Sequence, residues 1–302
     1  MIVNNINDLN LLLSKVKFSD KDLHEEYPNI FIVGAPRSGT TLLNQMIAYT
    51  FDIGYVNQLI ARFWEKPYIG AILSKELKLF SLNNFSSEFG FTQEITNVHE
   101  FGYFWKKYFN RVWERDPFID DLSENDINWD AWRLDILSLN KIMRNSFVYK
   151  ATNIVPYIKK VQDVLNQSVF IYIKRDAYDV ALSILKARKK RNENFTDWWS
   201  FKPYRNFKLI SQLDCQEQVI YQIYHIMKII EKQISNTNFV VIEYTDLCRN
   251  PQNEMERLYR FIKRRFDFEL RMVNAPIPQS FKKNNKENNK IIDLLKQYGL
   301  WR

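Results

Sequence analysis

Short apolar runs alternate along the chain with longer stretches in which apolar residues recur at helical spacing. The runs cover residues 29–33, 147–150, 168–174 and 239–244, and each leads within a few residues into such a helical stretch. Strands that are apolar throughout are typical of a parallel sheet, because the connecting helices bury both of its faces. The pattern therefore predicts an α/β fold in which a parallel β-sheet is flanked by helices.

Residues 52–146 interrupt this alternation. The stretch is dense in aromatic residues, its apolar positions have mostly helical spacing, and it contains no convincing strand. We interpret it as a helical cap inserted after the first strand–helix unit, and we expect its aromatic stripe, Phe101, Phe104, Trp105 and Phe109, to belong to the hydrophobic core. No linker, repeat or domain boundary is visible, so residues 1–302 are predicted to form a single domain.

The first apolar run leads directly into a loop rich in glycine and small polar residues, Gly34-Ala35-Pro36-Arg37-Ser38-Gly39-Thr40-Thr41. A strand, such a loop and a helix in this order bind phosphate groups, because unpaired N–H groups and the helix dipole meet at the helix start. The glycine spacing matches the beginning of a Walker A loop, but Thr40 replaces the lysine that such a loop needs. With a cation at Arg37 and hydroxyls at Thr40 and Thr41, the loop is suited to one anionic group at the 5′ end of a nucleotide.

The third apolar run ends in basic residues, whereas a magnesium-binding strand of an NTPase would end in an aspartate. Arg175 follows this run, and Ser183 lies eight positions later on the helical stretch that comes next. An arginine at the carboxyl end of a strand and a hydroxyl two turns into the following helix can bind the same dianion. The pair therefore predicts a second phosphate site, separate from the glycine loop. The alternative is that Arg175 is a surface residue and Ser183 has no ligand.

These motifs resemble the donor-binding motifs of sulfotransferases that use 3′-phosphoadenosine 5′-phosphosulfate (PAPS). Residues 34–43 resemble the 5′-phosphosulfate loop of that family, and residues 170–183 resemble its 3′-phosphate strand and helix. Residues 241–251 are similar to a third element, whose tyrosine lies against the adenine. The resemblance spans about residues 28–265 and implies a P-loop-type fold. It assigns these residues to the donor: Arg37, Ser38, Gly39, Thr40, Thr41, Arg175, Ser183 and Tyr244.

Lys150, at the end of the second run, matches the lysine of a K-T-H-x-P stretch in cytosolic family members. The resemblance implies that it approaches the oxygen that bridges phosphate and sulfate. Transfer of a sulfuryl group builds negative charge on that leaving oxygen, and a fixed cation stabilises it. The histidine that serves as the base in those relatives has no counterpart in residues 150–156, so the proton of the acceptor must be removed by another group.

The best candidates for the base are Glu100 and His99, which are adjacent in the aromatic segment 96–105. This segment resembles one in bacterial sulfotransferase-like proteins, and some other sulfotransferase groups use a glutamate base. We therefore place Glu100 first and His99 second, and on a helix only one of them would face the site. The alternative is that both residues have structural roles.

The charge balance suits an anionic ligand, since the 302 residues carry a formal net charge of +8. Two cysteines and three scattered histidines favour neither a disulfide framework nor a metal site, and the scheme requires no metal. The chain has no 18-residue apolar run and no signal-peptide pattern at its start, so we expect a cytoplasmic protein without an integral membrane segment.

Two basic runs need a separate interpretation. Residues 186–191 suit the end of an amphipathic helix and its dipole, so we do not expect nucleic-acid binding. Residues 282–290, rich in lysine and asparagine, are predicted to form a mobile, solvated loop. Because relatives often complete the 3′-phosphate site with basic residues near the C-terminus, Lys282, Lys283 and Arg191 are further candidates for that site.

The sequence thus predicts an enzyme that transfers the sulfuryl group of PAPS to a hydroxyl or amine acceptor and releases 3′,5′-ADP. The acceptor would bind in the cap, whose aromatic and charged residues suit a sugar, a glycolipid head group or an aromatic alcohol equally well. A small-molecule kinase on the same fold is one alternative, although the loop lacks the kinase lysine. The other is a non-catalytic protein that has kept the nucleotide site. The oligomeric state is not encoded in any pattern that we recognise.

Overall fold

A parallel sheet is the centre of the structure, as the apolar runs predict. The structure is a computed structural model that describes residues 5–16, 23–82, 84–109, 127–192, 195, 198–200, 210, 212–234, 238–281 and 284–301. Within this part of the chain, five strands pair in the order β2-β3-β1-β4-β5, and every pairing is parallel. The strands are β1 (Asn29–Val33), β2 (Gly54–Tyr55), β3 (Phe147–Lys150), β4 (Ser168–Lys174) and β5 (Phe239–Glu243).

Helices cover both faces of this sheet and form much of residues 52–146. They are α1 (Ile6–Leu13), α2 (Thr40–Thr50), α3 (Gln58–Arg62), α4 (Pro67–Glu76), α5 (Gly102–Phe109), α6 (Trp129–Met143), α7 (Ile158–Val164), α8 (Ala177–Asn192), α9 (Cys215–Ile234), α10 (Tyr244–Arg249), α11 (Pro251–Phe266) and α12 (Asn289–Gln297). A 3₁₀ helix, Thr152–Tyr157, follows β3. None of the helices described is both long and apolar enough to cross a lipid bilayer.

The alternation of side chains along β1 explains why both faces of the sheet are apolar. Phe31 and Val33 point into a core that includes residues of α5, α6 and α9, whereas Ile30 and Ile32 point into a second core that includes residues of α2 and α11. The four aromatic residues of the stripe in α5 and just before it are all buried in the first core. The prediction that this stripe belongs to the core is therefore confirmed.

Two predictions about individual elements were wrong. Residues 52–146 do contain a strand, because Gly54 and Tyr55 pair with the start of β3 at the edge of the sheet. The strand has only two residues, which is too short for an alternating pattern to be recognised. Tyr244 was predicted to end the last strand, but it is the first residue of α10.

The basic segment near the C-terminus, predicted to be a mobile, solvated loop, is mostly exposed in its described part and has no regular secondary structure up to residue 288. In its described part, the side-chain amide of Asn284 donates to Asp179 across 2.7 Å, and Lys286 pairs with Asp176 across 3.1 Å. The N–H of Glu287 donates to the hydroxyl of Tyr178, also on α8. These contacts attach the segment to the start of α8, and its last two residues, Asn289 and Lys290, are the first two residues of α12.

Candidate active site

The glycine loop connects β1 to α2 and has a backbone that requires glycine at its last position. Gly39 has a φ of 108° and directly precedes the first residue of α2. A Cβ atom at this position would lie 2.4 Å from Cδ2 of Tyr244, so the tyrosine ring packs directly on the loop backbone. A side chain is excluded at Gly39 for two reasons, the left-handed backbone and the contact with this ring.

The carboxyl ends of four strands meet at the edge of the sheet that carries this loop. Lys150 ends β3, Arg175 directly follows β4, and Tyr244 directly follows β5. Parallel strands bring such residues together because all of their carboxyl ends lie at the same edge of the sheet. The three side chains line a cavity of about 520 Å³, the main cavity, together with Arg37, Thr41 and Glu100.

Two of the predicted donor residues do not line the main cavity. Ser38 is buried beneath the loop, with 2% of its surface exposed. Ser183, on α8, instead contacts a residue that does line the cavity, because its hydroxyl accepts a hydrogen bond from Nε of Arg37 across 3.0 Å. Gly39 and Thr40, which were also assigned to the donor, do line the main cavity.

The two arginines of the site lie next to each other. Nη1 of Arg175 donates to the backbone carbonyl of Arg37 across 3.1 Å, and its guanidinium lies 4.5 Å from the centre of the Tyr244 ring. Burial and, to a smaller extent, the charge of Arg175 lower the pKa of Arg37 to about 10. Two like charges held together in a partly buried cavity are unfavourable for the protein alone, and an anion bound between them would relieve this repulsion.

Lys150 links the glycine loop to the segment before α5. Its side chain is only 9% exposed, and its Nζ lies 3.2 Å from Oγ1 of Thr41 and 3.2 Å from a carboxylate oxygen of Glu100. The ammonium group is thus held between a hydroxyl of the loop and the carboxylate. A lysine in this position can hydrogen-bond to a further anionic atom in the cavity while remaining close to both partners.

Glu100 and His99 are not on a helix, because α5 begins at Gly102. Both side chains can therefore face open space. Glu100 lines the main cavity and also a neighbouring cavity of about 280 Å³, the side cavity, whereas His99 lines only the side cavity. The backbone N–H of His99 donates to the carbonyl of Val56 across 2.7 Å, so the residue just after the short strand β2 positions this segment.

The imidazole of His99 is fixed by its own backbone neighbour. Nδ1 accepts a hydrogen bond from the N–H of Phe101 across 2.8 Å. The neutral ring therefore carries its proton on Nε2 and has no lone pair left for another proton. Burial lowers the pKa of His99, which favours this neutral form.

Comparison with known proteins identifies the family. The sequence model of the sulfotransferase family matches residues 28–267. The chain belongs to this family. The earlier resemblance to sulfotransferases is thereby confirmed, and so is the α/β fold.

Solved structures of bacterial sulfotransferases have the same fold. Sulfotransferase STF9 from Mycobacterium avium is 12% identical, with a TM-score of 0.54 over 79% of this chain and 64% of that structure. Sulfotransferase STF1 from Mycobacterium tuberculosis H37Rv is also 12% identical, with a TM-score of 0.52 over 83% of this chain and 72% of that structure. The chain thus spans less than two thirds of the length of STF9. No curated protein matches the sequence.

One component of the candidate site was missed by the sequence analysis. Residues 88–91 form a tight turn, the turn 88–91, which places Gly90 over the glycine loop. The φ of Gly90 is 88°. Its carbonyl accepts a hydrogen bond from Oγ1 of Thr41 across 3.2 Å. A Cβ atom at Gly90 would lie 3.3 to 3.5 Å from Thr41, Lys150 and Arg37, so only glycine leaves this space open. The signal in the sequence was a lone glycine between two phenylalanines.

The basic end of α8 holds the turn 88–91 in place. Lys190 forms an ion pair with Glu88, and the guanidinium of Arg191 lies 4.1 Å from the centre of the Phe91 ring. Arg191, a candidate for the 3′-phosphate site, therefore contacts the turn. The other two candidates, Lys282 and Lys283, lie outside the described residues.

Proposed function

We propose that this sulfotransferase transfers the sulfuryl group of PAPS to a hydroxyl or amine acceptor and releases 3′,5′-ADP. The observation that carries the proposal is the hydrogen bond between Arg37 and Ser183, with Arg175 directly beside it. This contact joins the anion-binding loop to the pair predicted to bind a second phosphate. PAPS carries anionic groups at both ends of its adenosine, and the site offers cations and hydroxyls for both.

The proposed donor contacts divide the site into three parts. The loop from Arg37 to Thr41, with the N–H groups at the start of α2, would bind the 5′-phosphosulfate. Arg175 and Ser183 would bind the 3′-phosphate, and the ring of Tyr244 would lie against the adenine. The net charge of +8 supports a polyanionic donor. The described residues include no cluster of three or more metal-binding side chains, and the proposed chemistry requires none.

The proposed transfer involves one bond forming and one breaking at sulfur. The acceptor oxygen or nitrogen forms a bond to sulfur while the bond between sulfur and the bridging oxygen breaks. Lys150 would stabilise the negative charge that develops on the bridging oxygen, since its ammonium group lies at the loop. Glu100 would accept the proton of the acceptor, and its carboxylate is already held beside Lys150.

Glu100 is the better candidate for the base on the grounds of hydrogen bonding. His99 uses the lone pair of Nδ1 to accept from Phe101 and can accept a second proton only if that bond breaks. Glu100 has two carboxylate oxygens, one of which is 3.2 Å from Lys150; its side chain is 33% exposed and lines both cavities. We therefore assign proton removal to Glu100 and a positioning role to His99. The proposed acceptor is a small molecule or a glycan, for example a carbohydrate or a glycolipid.

The proposal is tested first by binding and then by transfer. We expect 3′,5′-ADP to raise the melting temperature of the protein more than magnesium ATP does, because the loop has no lysine for a triphosphate. A larger shift with magnesium ATP would instead support the kinase alternative. Radiolabelled PAPS and a panel of acceptors then test transfer, with Glu100→Gln and Lys150→Ala as variants. Normal binding of 3′,5′-ADP without transfer to any acceptor would favour a non-catalytic nucleotide-binding protein.

A further inference from the structure

A segment without regular secondary structure carries two parts of the candidate site. Residues 84–98, the loop 84–98, form no helix and no strand of the sheet. The loop contains the turn 88–91, and Glu100 lies two residues beyond its end. Only Asn97 and Val98 of the loop are buried. Hydrophobic burial therefore contributes little to the position of this loop, which depends on its hydrogen bonds instead.

One face of α2 holds the loop 84–98. Thr41, Gln45 and Tyr49 follow one another at intervals of four residues on α2 and therefore share a face of the helix. Oγ1 of Thr41 donates to the carbonyl of Gly90, and the ring of Tyr49 lies 5.3 Å, centre to centre, from the ring of Phe85. The loop is thus attached along the same helix that directly follows the glycine loop.

The side-chain amide of Gln45, between these two contacts, joins both ends of the loop 84–98 to α2. Its Nε2 donates to Oδ1 of Asn97 across 2.9 Å and to the carbonyl of Ser86 across 3.2 Å. Gln45 is fully buried and Asn97 is 2% exposed. A hydrogen bond in such surroundings is stronger than one that competes with solvent.

Asn97 extends this attachment toward the proposed base. Its Oδ1 also accepts from the N–H of Val98 across 2.9 Å, and its Nδ2 donates to Oδ1 of Asn84 across 3.1 Å. The second bond closes the loop 84–98 on itself. The first fixes the backbone directly before His99, and Glu100 is the next residue. A single buried amide pair therefore connects α2 to the segment that carries the carboxylate.

The surroundings of Gln45 distinguish a positioning role from a packing role. Its Oε1 has no hydrogen-bond partner among the described residues. A buried oxygen without a partner destabilises a fold, and an apolar side chain of similar size would fill the same space without this penalty. What the amide adds to packing is its pair of N–H donors, and both of them are used on the loop 84–98.

We propose that Gln45 is a positioning residue for the transfer reaction. It holds the loop 84–98 on α2 and thereby keeps the carbonyl of Gly90 and the carboxylate of Glu100 in place in the main cavity. This inference rests on the proposed function. Gln45 itself lines neither cavity, so its effect on transfer passes through the loop.

Gln45→Met tests the role, because methionine fills nearly the same volume without the amide. Asn10→Leu is the matched control. Asn10 is also a buried amide, donates to the carbonyls of Ile6 and Arg62 across 2.9 and 2.8 Å, and lines neither cavity. Hydrogen–deuterium exchange of peptides from residues 84–98 reports how firmly the loop is held. Calorimetry with 3′,5′-ADP reports donor binding.

Turnover is measured as release of labelled sulfate from PAPS to water and, in parallel, as transfer to the acceptor panel. In the reaction with water, the water oxygen forms a bond to sulfur and its proton passes to the carboxylate of Glu100. The bond between sulfur and the bridging oxygen breaks, and its electron pair leaves with 3′,5′-ADP. The kcat of this reaction therefore depends on the position of the carboxylate without requiring a particular acceptor.

We expect exchange in the loop 84–98 to be about tenfold faster or more in Gln45→Met, because the bonds that hold the loop closed are lost. The kcat should fall about tenfold or more, since a small displacement of a catalytic group is costly. The affinity for 3′,5′-ADP should change by less than about threefold, because the donor is bound by the glycine loop and Arg175. Asn10→Leu should resemble wild type in all three measurements.

A second variant removes the partner of Gln45. Asn97→Leu should show the same pattern, and the losses in kcat should be less than additive in the double variant, because both changes break one bond. Wild-type exchange in Gln45→Met, or faster exchange with an unchanged kcat, would overturn the positioning role. Failure of wild type to bind 3′,5′-ADP would overturn the proposed function, whereas the exchange result would still decide whether Gln45 holds the loop.

Discussion

Nε of Arg37 donates a hydrogen bond to the hydroxyl of Ser183 across 3.0 Å, although the two residues are 146 positions apart in the chain. The bond connects the loop after β1 to the second turn of α8. Arg175 holds the same loop by donating to the carbonyl of Arg37. The three residues therefore form one unit, and a change in any of them should affect the binding of the same ligand.

Replacement of Ser183 should reduce the contribution of the 3′-phosphate to ligand binding. Ser183→Ala should weaken the binding of 3′,5′-ADP by at least about tenfold, because a hydrogen bond between a hydroxyl and a charged group contributes about 1.5 to 3 kcal/mol. Isothermal titration calorimetry measures the change directly. The control ligand is 5′-AMP, which lacks the 3′-phosphate and whose binding should be weakened less.

The double variant with Arg37→Gln extends this test. Because the two side chains are in direct contact, their effects on the binding of 3′,5′-ADP should not add. Equal losses for 3′,5′-ADP and 5′-AMP in Ser183→Ala would place Ser183 outside the 3′-phosphate site. Strict additivity would mean that the contact with Arg37 has no part in binding.

Replacement of Lys150 should affect the transfer step more than donor binding. In Lys150→Met the leaving oxygen loses its cation, and we expect kcat to fall by about 10² or more. The affinity for 3′,5′-ADP, which lacks the sulfuryl group, should change much less. Rates with labelled PAPS and titrations with 3′,5′-ADP separate the two effects.

Lys174 provides a matched control, since it also ends a strand of the sheet but pairs with Glu231 away from the main cavity. Lys174→Met should keep the wild-type rate. If Lys150→Met transfers sulfate at the wild-type rate, the role assigned to Lys150 is wrong.

The meeting of the residues assigned to the donor at one edge of the sheet was largely predictable, because its signals are local. The glycine loop, Lys150 and Arg175 each lie directly at the end of an apolar run, and a parallel sheet brings such positions to one edge. To place these residues next to one another, the only further information needed is which strands are neighbours in the sheet. Tyr244 was found by resemblance, although its strand was predicted one residue too long.

Features that depend on contacts between distant segments were missed. Gly90 is 49 positions from Thr41, and nothing in the periodicity around residue 90 indicates that its backbone contacts the loop. Likewise, the ion pair of Lys286 with Asp176 spans 110 positions, and the polar composition of residues 282–290 predicts solvent exposure but not this contact. Hydrophobic periodicity indicates which face of a helix or strand is buried, but it does not indicate which distant polar groups will come into contact.

The turn 88–91 can be tested at its glycine. Gly90→Ala adds a methyl group 3.3 to 3.5 Å from Thr41, Lys150 and Arg37, at a left-handed φ of 88°. We expect about 1 kcal/mol of destabilisation from the backbone. We also expect at least a tenfold lower kcat/KM for PAPS, because the methyl group narrows the space between the three polar groups. Chemical denaturation and steady-state kinetics measure the two effects.

A control at Gly299 distinguishes the effect of backbone strain from the effect of the new methyl contacts at Gly90. It also has a left-handed φ, of 66°, but a Cβ atom there would meet nothing within 4 Å. Gly299→Ala should therefore lose a similar amount of stability and keep its activity. Normal kinetics in Gly90→Ala would show that the turn does not border the donor.

The last prediction concerns the pH dependence of stability through His99. Burial lowers the pKa of His99 in the folded protein, whereas the unfolded chain has the ordinary value of about 6.5. Below about pH 6.5 the unfolded state therefore binds a proton that the folded state does not, so the free energy of unfolding falls as the pH falls. One proton contributes at most about 1.4 kcal/mol per pH unit. Urea unfolding at pH 7.5 and pH 5.5 measures the loss.

His99→Gln removes the titration but keeps an oxygen that can accept from the N–H of Phe101. This variant should lose less stability than wild type between the two pH values. Burial also lowers the pKa of His225, which lies outside both cavities, so His225→Gln is the matched control. Both variants should lessen the acid sensitivity, but only His99→Gln should also change the pH profile of sulfate transfer, since His99 positions the segment that carries Glu100. An acid sensitivity of His99→Gln equal to that of wild type would mean that His99 is protonated as readily in the folded protein as in the unfolded chain.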